Sequence, residues 1–280
     1  MNLKQPEAIV LKRPSQLKKY VTIALVIIIL WGSARFANFS LIDIIENFHQ
    51  AGRLLKQMFG KPAWNYAPKV IPPLLETIQM AIVSSLLGAI VAFPLALLAS
   101  SNFTENKVIN QITRFILNIF RTIPSMVLAS LFVAIFGSGN FAGVAALFIF
   151  SFGLISKLLY ESIEAIDQGQ VEAIVSLGGN KLTVLRYGIV PQILPQFISY
   201  TLYTFEVNVR AAAVLGYVGA GGIGQFYERA YAFRYFDRVG IIVIITFVTV
   251  LIIDFISSQI RKGLVWWIKK WLFFPKNRVR

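Results

Sequence analysis

Residues 74–99 read LLETIQMAIVSSLLGAIVAFPLALLA and carry one charged side chain, that of Glu76. About 20 mainly apolar residues are enough for a helix to cross the hydrocarbon of a bilayer. Five further segments share this character, and we predict a spanning helix in each of them: 21–36, 114–136, 141–160, 193–218 and 239–260. The sequence therefore predicts an all-α membrane protein with about six transmembrane helices.

The composition of the 280 residues agrees with a membrane class. Hydrophobic residues make up 56% and charged residues 14%, with a mean hydropathy of +0.67, whereas soluble domains carry roughly 25% charged residues. The absence of cysteine excludes disulfides, thiolate metal sites and cysteine nucleophiles. A signal peptide is an alternative for 21–36 because basic residues precede it, but no small-x-small cleavage site follows Trp31, and we expect this span to be retained.

The net charge of +14 is concentrated at the two ends of the chain. Basic clusters beside apolar runs are typical of cytoplasmic anchoring to anionic lipid, and nucleic-acid binding would require a solvated basic face. We therefore expect a multi-pass protein of the plasma (inner) membrane with both termini in the cytoplasm, contact with lipid and no nucleic-acid partner. The predicted divisions are a basic tail, a first span with an external loop, a transmembrane domain, and a basic aromatic tail that forms an amphipathic helix on the bilayer: 1–20, 21–72, 73–262 and 263–280.

The connection between the fourth and fifth spans carries the most informative pattern. Residues 170–177 favour a short helix, which Gly178 and Gly179 would end because glycine accepts the left-handed conformation. A second short helix over 181–187 is expected before Pro191 and Pro195 break the start of the fifth span. Alternatively, the segment is a solvated helix–turn–helix that only connects the two spans and has no further function.

This connection resembles the EAA loop of ABC importer permeases. The match consists of Glu172, Ala173, Gly178 and Pro191 at the family's spacing, within about 165–191. Ile174, Gly188 and Val190 depart from the usual alanine, isoleucine and leucine.

The resemblance implies the type I permease fold and a transport role. The loop, with Gly179 beside Gly178, would dock in a groove of an ATPase subunit, and Glu172 would contact a basic group there. The implied partners are two ABC ATPase subunits, an extracytoplasmic substrate-binding protein and a second permease copy, with a homodimer as the simpler assumption.

Four polar residues lie inside the predicted spans: Arg121, Glu206, Asn208 and Arg210. A charge at mid-span costs about 2.5–3.5 kcal/mol on insertion scales, so such groups face a cavity or a partner. Glu206 and Arg210 are four apart and can pair on one helix face. Alternatively, Arg121 or Arg210 faces the translocation path, which would favour an anionic solute. Lys157 and Asp254 are expected to snorkel toward the cytoplasmic surface.

A glycine-rich stretch follows the fifth span. Gly219, Gly221 and Gly224 satisfy G-x-G-x-x-G, but a dinucleotide site requires a preceding strand, and here an apolar helix precedes it. We expect instead a flexible turn at the outer end of the span, with Gly219, Gly221, Gly222 and Gly224 as a gate hinge.

Residues 206–224, with Arg121–Pro124 and Lys157–Glu164, look like the permease of the phosphonate ABC importers over roughly 70–260. This resemblance implies a phosphonate or a related phosphorus oxyanion, phosphite or phosphate, as the solute. Three alternatives stay open: a permease for another small solute such as an amino acid, an ion-coupled secondary transporter using Glu206 and Asp254 as proton sites, and a structural scaffold.

Enzyme motifs are missing from the sequence. No G-x-x-x-x-G-K-[ST] is present, so ATP hydrolysis would belong to a separate partner chain. We expect no catalytic residue, no cofactor and no metal site, and His49 is interpreted as a surface residue.

Overall fold

The computed structural model describes residues 16–37 and 39–273, without the side chains of 41, 44 and 264–273, and these residues are almost entirely helical. The chain divides into two compact units, Met1–Leu55 and Lys56–Arg280. The helices are, in order, α1 (Gln16–Phe36), α2 (Leu41–Phe59), α3 (Ala67–Ala99), α4 (Lys107–Thr122), α5 (Ser125–Phe136), α6 (Asn140–Glu164), α7 (Gln168–Ser176), α8 (Lys181–Thr183), α9 (Val190–Leu215), α10 (Gly222–Ala232) and α11 (Phe236–Phe273). Most residues of the predicted tails, 1–20 and 263–280, are not among those whose side chains the structure describes.

The first unit is built around α1, which has no buried residue. A helix that is apolar on all sides and unburied suits a membrane span surrounded by lipid. α2 is amphipathic and begins with Asp43 in its first turn.

Helix length and composition support several membrane spans among the described residues. Four helices are long and apolar enough to cross a bilayer, α1, α3, α6 and α11, and the pair α4 and α5 raises the number to five. The predicted fifth span is present as α9. This helix is less apolar than the four named above, because Glu206, Asn208 and Arg210 lower its mean hydropathy.

The prediction of one continuous helix over 114–136 is wrong, since the segment consists of two helices, α4 and α5, that meet at 84°. The break falls at Pro124, which has no N–H to donate and disfavours helical geometry at Ile123. Ile123 is accordingly extended, with φ −78° and ψ 120°, and Pro124 caps the start of α5.

The core of the second unit forms where α3, α6 and α9 pack together through small residues. A Cβ added at Gly88 would lie 2.5 Å from Cβ of Ser151, so the two backbones approach closely at this point. Ala92 and Ala96 are fully buried nearby, while Ile90 points outward. Small residues at helix contacts and large apolar residues on the outside are the arrangement expected in lipid.

Two ends of this bundle can be told apart. At the first, Asn102, after α3, donates to the carbonyl of Ile163 at 2.9 Å, and α7 follows directly after α6. At the other, Ile223 donates to the hydroxyl of Thr77, close to the start of α3, at 2.8 Å. We refer to these as the loop end and the glycine end.

The expected second short helix over 181–187 is also wrong. α8 continues without a break into a π-helix, Val184–Ile189, and then into α9. The π turn directly precedes Pro191 at the start of α9, and its wider geometry accommodates a residue that has no N–H to donate to the preceding turn. The two prolines therefore lie within one continuous helical rod.

Candidate functional site

The segment between α6 and α9, residues 165–191, forms a compact loop at the loop end and is named here the coupling loop. Asp167 caps α7 by accepting a hydrogen bond from the N–H of Gly169 at 3.0 Å. Gly178 ends α7 with φ +80°, a conformation that glycine adopts without strain. Asn180 then caps α8 by accepting from the N–H of Thr183 at 2.9 Å. The predicted short helix and its glycine terminator are confirmed at these positions.

The interior of the coupling loop is filled by Ile174. A Cβ added at Gly179 would lie 2.7 Å from Cγ2 of Ile174, and one added at Gly188 would lie 3.1 Å from its Cδ1. Ile174 and Gly188 are two of the three departures from the family pattern. The larger side chain at 174 occupies space left open by the missing side chain at 188.

The base of the loop is closed by hydrogen bonds to Gln192. Its amide oxygen accepts from the N–H of Asp167 at 3.0 Å, and its Nε2 donates to the carbonyl of Asp167 at 3.2 Å and to that of Gly188 at 2.8 Å. The start of α7 and the start of α9 are thus fixed to each other.

A second tie connects the loop to the α3–α4 connection. Lys181 lies 2.9 Å from the carboxylate of Glu105. The hydrogen bond that Lys181 donates lowers the pKa of the Glu105 carboxyl. Both side chains are exposed, so this pair adds little to stability.

The outer surface of the coupling loop is exposed and partly apolar. Glu172, Ala173 and Gly178 are all exposed. Leu177 is 89% exposed and Leu182 is 71% exposed. An exposed apolar patch beside a carboxylate is a surface suited to a protein partner.

Glu206 and Arg210 do not pair with each other, contrary to the first expectation. Each instead meets a residue of α11. Glu206 lies 2.8 Å from Arg261, and Arg210 lies 3.3 Å from Asp254. Asp254 therefore takes part in an ion pair with α9. The two ion pairs therefore connect α9 to α11 at two positions.

The two pairs differ in exposure. The side chain of Glu206 is 7% exposed, whereas those of Arg210 and Asp254 are 47% and 40% exposed. Asp254 lies within the candidate span Phe236–Gly263, and an exposed charged pair within a span requires a cavity or a partner chain beside it, because lipid solvates charge poorly.

Asn208 is fully buried and faces the bundle. Its Nδ2 donates to the hydroxyls of Ser151 at 2.7 Å, Ser85 at 2.8 Å and Ser84 at 3.3 Å. Each serine hydroxyl in turn donates to a carbonyl of its own helix. The amide therefore ties α9 to α3 and α6 in the interior of the bundle.

Arg121 lies in the last turn of α4, directly before the break at Pro124, and is exposed. It takes part in none of the ion pairs between described residues. Arg121 and Arg210 are both exposed, and the structure shows no contact between them.

The glycine turn lies at the glycine end, after α9. Gly219, Gly221 and Gly222 have positive φ of +85°, +85° and +66°. The turn is buried and close-packed, which differs from the flexible turn that we expected: a Cβ at Gly224 would lie 2.3 Å from the carbonyl oxygen of Ala213. Its role as a gate hinge stays a prediction. A helix and a short 3-10 turn precede it, not a strand, so the dinucleotide fingerprint lacks its structural context.

Sequence reasoning missed the residues that hold this turn. Thr77 accepts from the N–H of Ile223, and Asn140 accepts from the N–H of Gly222 at 3.2 Å. It also missed the cluster at the loop end, where Glu164 pairs with Arg114 and accepts from the N–H of Ser101 at 2.9 Å. Glu164 lies in the quoted Lys157–Glu164 motif, which was the available signal.

Within the part of the chain that the structure describes, no three His, Cys, Asp or Glu side chains lie close enough to hold a metal ion. His49 is exposed, and its ring contacts Arg53 at 3.1 Å.

Comparison with known proteins gives consistent matches. The family described as "Binding-protein-dependent transport system inner membrane component" matches residues 92–265. A putative phosphite transport system permease protein of Stutzerimonas stutzeri is 36% identical over 209 residues, which cover 71% of this chain and 74% of that protein. A putative cryptic phosphonate transport system permease protein of Escherichia coli (strain K12) is 47% identical over 120 residues, which cover 43% of this chain and 98% of that protein.

Solved structures show the same fold. An inward-facing structure of the MetNI methionine ABC transporter matches with a TM-score of 0.64 at 22% identity, covering 72% of this chain and 99% of that chain.

Proposed function

The chain belongs to the binding-protein-dependent transport system inner membrane component family, and from this we propose that it is the permease of an ATP-driven importer for phosphonate or a related phosphorus oxyanion, phosphite or phosphate. The observation that carries the choice of solute is the 36% identity over 209 residues to a phosphite permease. The proposed cycle is alternating access, driven by ATP hydrolysis on partner chains.

The coupling loop supports the energy-coupling part of this proposal. Its exposed surface presents Glu172 and an apolar patch that includes Leu177. Its base is fixed to α9 through the hydrogen bonds of Gln192. A displacement of α7 would therefore also move the start of α9. We expect Glu172, Ala173, Gly178 and Gly179 to meet the ATPase, while Pro191 sets the start of α9.

The exposed arginines support a translocation path for an anionic solute. Arg210 and Asp254 are exposed on the surface of one chain at membrane depth, which a second permease copy across a shared path would cover. Arg121 at the break between α4 and α5 adds a second positive charge. A cationic lining raises the local concentration of an anion.

Membership of the family supports a proposed assembly. We expect two ATPase subunits at the coupling loops of two permease copies, and an extracytoplasmic binding protein at the glycine end. Both termini would then lie in the cytoplasm.

Uptake measurements test the function. In a strain lacking this chain, expression of the chain with its partner subunits restores uptake of radiolabelled phosphite or methylphosphonate, and unlabelled phosphate or phosphite competes. Depletion of ATP abolishes this uptake, whereas a protonophore at constant ATP leaves it in place. Uptake that follows the proton gradient alone would favour the secondary transporter instead.

A methionine or other amino-acid permease is the second candidate, favoured by 29% identity over 179 residues to a methionine import system permease protein of Bacillus subtilis (strain 168). Competition by methionine but not by phosphite in the same assay would select it.

A further inference from the structure

A small cavity at the glycine end lies outside all the residues assigned above. Its volume is about 260 Å³, and it lies between Tyr66 at the start of α3, the last turns of α10 and the start of α11. Its walls include two arginines and several aromatic rings: Arg229, Arg238, Tyr66, Phe226, Phe233 and Tyr235. Pockets for drug-sized ligands begin at roughly 300 Å³, so this cavity suits a small ion.

Arg238 is held in the cavity by two tyrosines. Its guanidinium carbon lies 4.3 Å from the ring centroid of Tyr235 and 5.0 Å from that of Tyr66. Stacking uses the flat faces of the guanidinium and leaves its N–H groups, which point outward in the plane, free to donate. Neither Arg238 nor Arg229 takes part in an ion pair between described residues.

The electrostatic surroundings of the cavity are positive. Lys69 lies 5.8 Å from the Tyr66 ring, so a third cation approaches the same ring. The N-terminus of α11 and that of α3 lie at this wall, and helix N-termini carry partial positive charge.

The nearby carboxylates do not neutralise the cavity. Asp237 lines a neighbouring cavity of about 660 Å³, which is itself bordered by three cations, Lys56, Lys61 and Arg234. Glu228 precedes Arg229 on α10, and helix geometry directs it about 100° away. Glu228 is not among the residues that line this cavity.

We propose that Arg229 and Arg238 form a binding site for a tetrahedral phosphorus oxyanion at the glycine end of the bundle. Two arginines on one small cavity present the paired N–H donors that match phosphate oxygens. The same chemistry is offered by a free phosphorus oxyanion and by the headgroup of an anionic phospholipid. The choice of a phosphorus oxyanion rests on the proposed function, but the arginine pair and the cavity do not.

Equilibrium binding tests the site without ATP hydrolysis or uptake. The full chain is purified in maltoside detergent, and binding of radiolabelled inorganic phosphate is measured at low ionic strength. Arg229→Gln and Arg238→Gln are compared with wild type, and Arg238→Lys retains the charge without the stacked fork. Arg35→Gln is the matched control, because Arg35 also stacks on an aromatic ring, 5.7 Å from the centroid of Trp31, but lies on α1. Circular dichroism confirms that each variant is folded.

We expect each Gln variant to weaken phosphate binding by about tenfold or more, as for loss of hydrogen bonds to a charged group, with Arg35→Gln unchanged. In a second arm, native mass spectrometry compares retained phosphatidylglycerol. Loss of retained lipid in the two Gln variants, without measurable phosphate binding to wild type, assigns the same site to a lipid headgroup. Equal phosphate binding and equal lipid retention in wild type and folded Gln variants overturn the proposal, whatever the uptake assay shows for the proposed function.

Discussion

At the scale of single residues, the coupling loop depends on a glycine whose backbone has positive φ. Gly178 has φ +80°, and nothing lies within 4 Å of an added Cβ. Asparagine and aspartate accept this conformation better than other side chains. A substitution here therefore tests the surface of the loop more than its fold.

We predict that Gly178→Asp lowers uptake by about tenfold, the size of a typical coupling free energy, while membrane insertion stays normal. The added negative charge would stand on the surface that meets the ATPase. Gly178→Asn is the uncharged control and should retain most uptake. Uptake and ATP hydrolysis by the reconstituted importer measure the effect, and wild-type uptake by Gly178→Asp would contradict it.

The contact of Ile174 with Gly188 gives a second prediction at this scale. Gly188→Ile should destabilise the chain by about 1–3 kcal/mol through overpacking. Ile174→Ala should destabilise it by about 2 kcal/mol or more through the void it leaves. The double variant exchanges the large and small side chains. It should lose less free energy of unfolding than the two single variants lose together.

Thermal unfolding of the four proteins in detergent completes this double-mutant cycle. Additive effects would show that the two residues do not share space.

Gly222 in the glycine turn and Gly178 in the coupling loop both have positive φ. Gly222→Ala should destabilise the chain more than Gly178→Ala. Both alanines bear the cost of positive φ, about 1–3 kcal/mol, but only at 222 would the new Cβ meet a neighbour, the Thr77 hydroxyl at 2.5 Å, while that at 178 meets nothing within 4 Å. Unfolding midpoints in detergent give the comparison, and equal shifts would remove the packing argument.

At the scale of elements, α9 and α11 are joined by charges. Asp254→Leu should lower the yield of folded protein, because the exposed Arg210 then lies at membrane depth without its partner, at a cost of about 2.5–3.5 kcal/mol on insertion scales. The reversed pair, Arg210→Asp with Asp254→Arg, should restore the folded yield.

Uptake separates a structural role of this pair from a role in the path. If Arg210 lines the path of an anionic solute, the protein with the reversed pair folds but transports poorly, because an aspartate at position 210 repels the anion. Recovery of both folding and uptake would assign the pair to structure alone. Fluorescence-detected size-exclusion chromatography reports folding, and labelled phosphite reports uptake.

At the scale of the whole molecule, orientation is the untested prediction. The chain has no cysteine, so single cysteines can be introduced without background. We predict that Asn65→Cys, at the glycine end, reacts with a membrane-impermeant maleimide in intact cells. Ser176→Cys, in the coupling loop, should react only after lysis. The opposite labelling pattern would invert the assembly proposed above.

Much of this architecture could be predicted from the sequence, because hydropathy and glycine placement act locally. The apolar runs gave the helices, and Gly178 gave the end of α7. The partner of Glu206 could not be predicted: Arg210 lies on the next turn, but α11 brings Arg261 to 2.8 Å, and only the fold reveals that approach. Likewise Pro124 was visible, but whether a proline kinks a helix or ends it depends on the packing around it, and here α4 and α5 meet at 84°.

The fit between Ile174 and Gly188 also constrains how such a loop can evolve. An ancestor with a small residue at the first position and a large one at the second could reach the present pair only through an intermediate with either a steric clash or an empty space. Selection would therefore favour two changes arriving close together in time, and lineages of this permease should exchange the two positions jointly rather than singly.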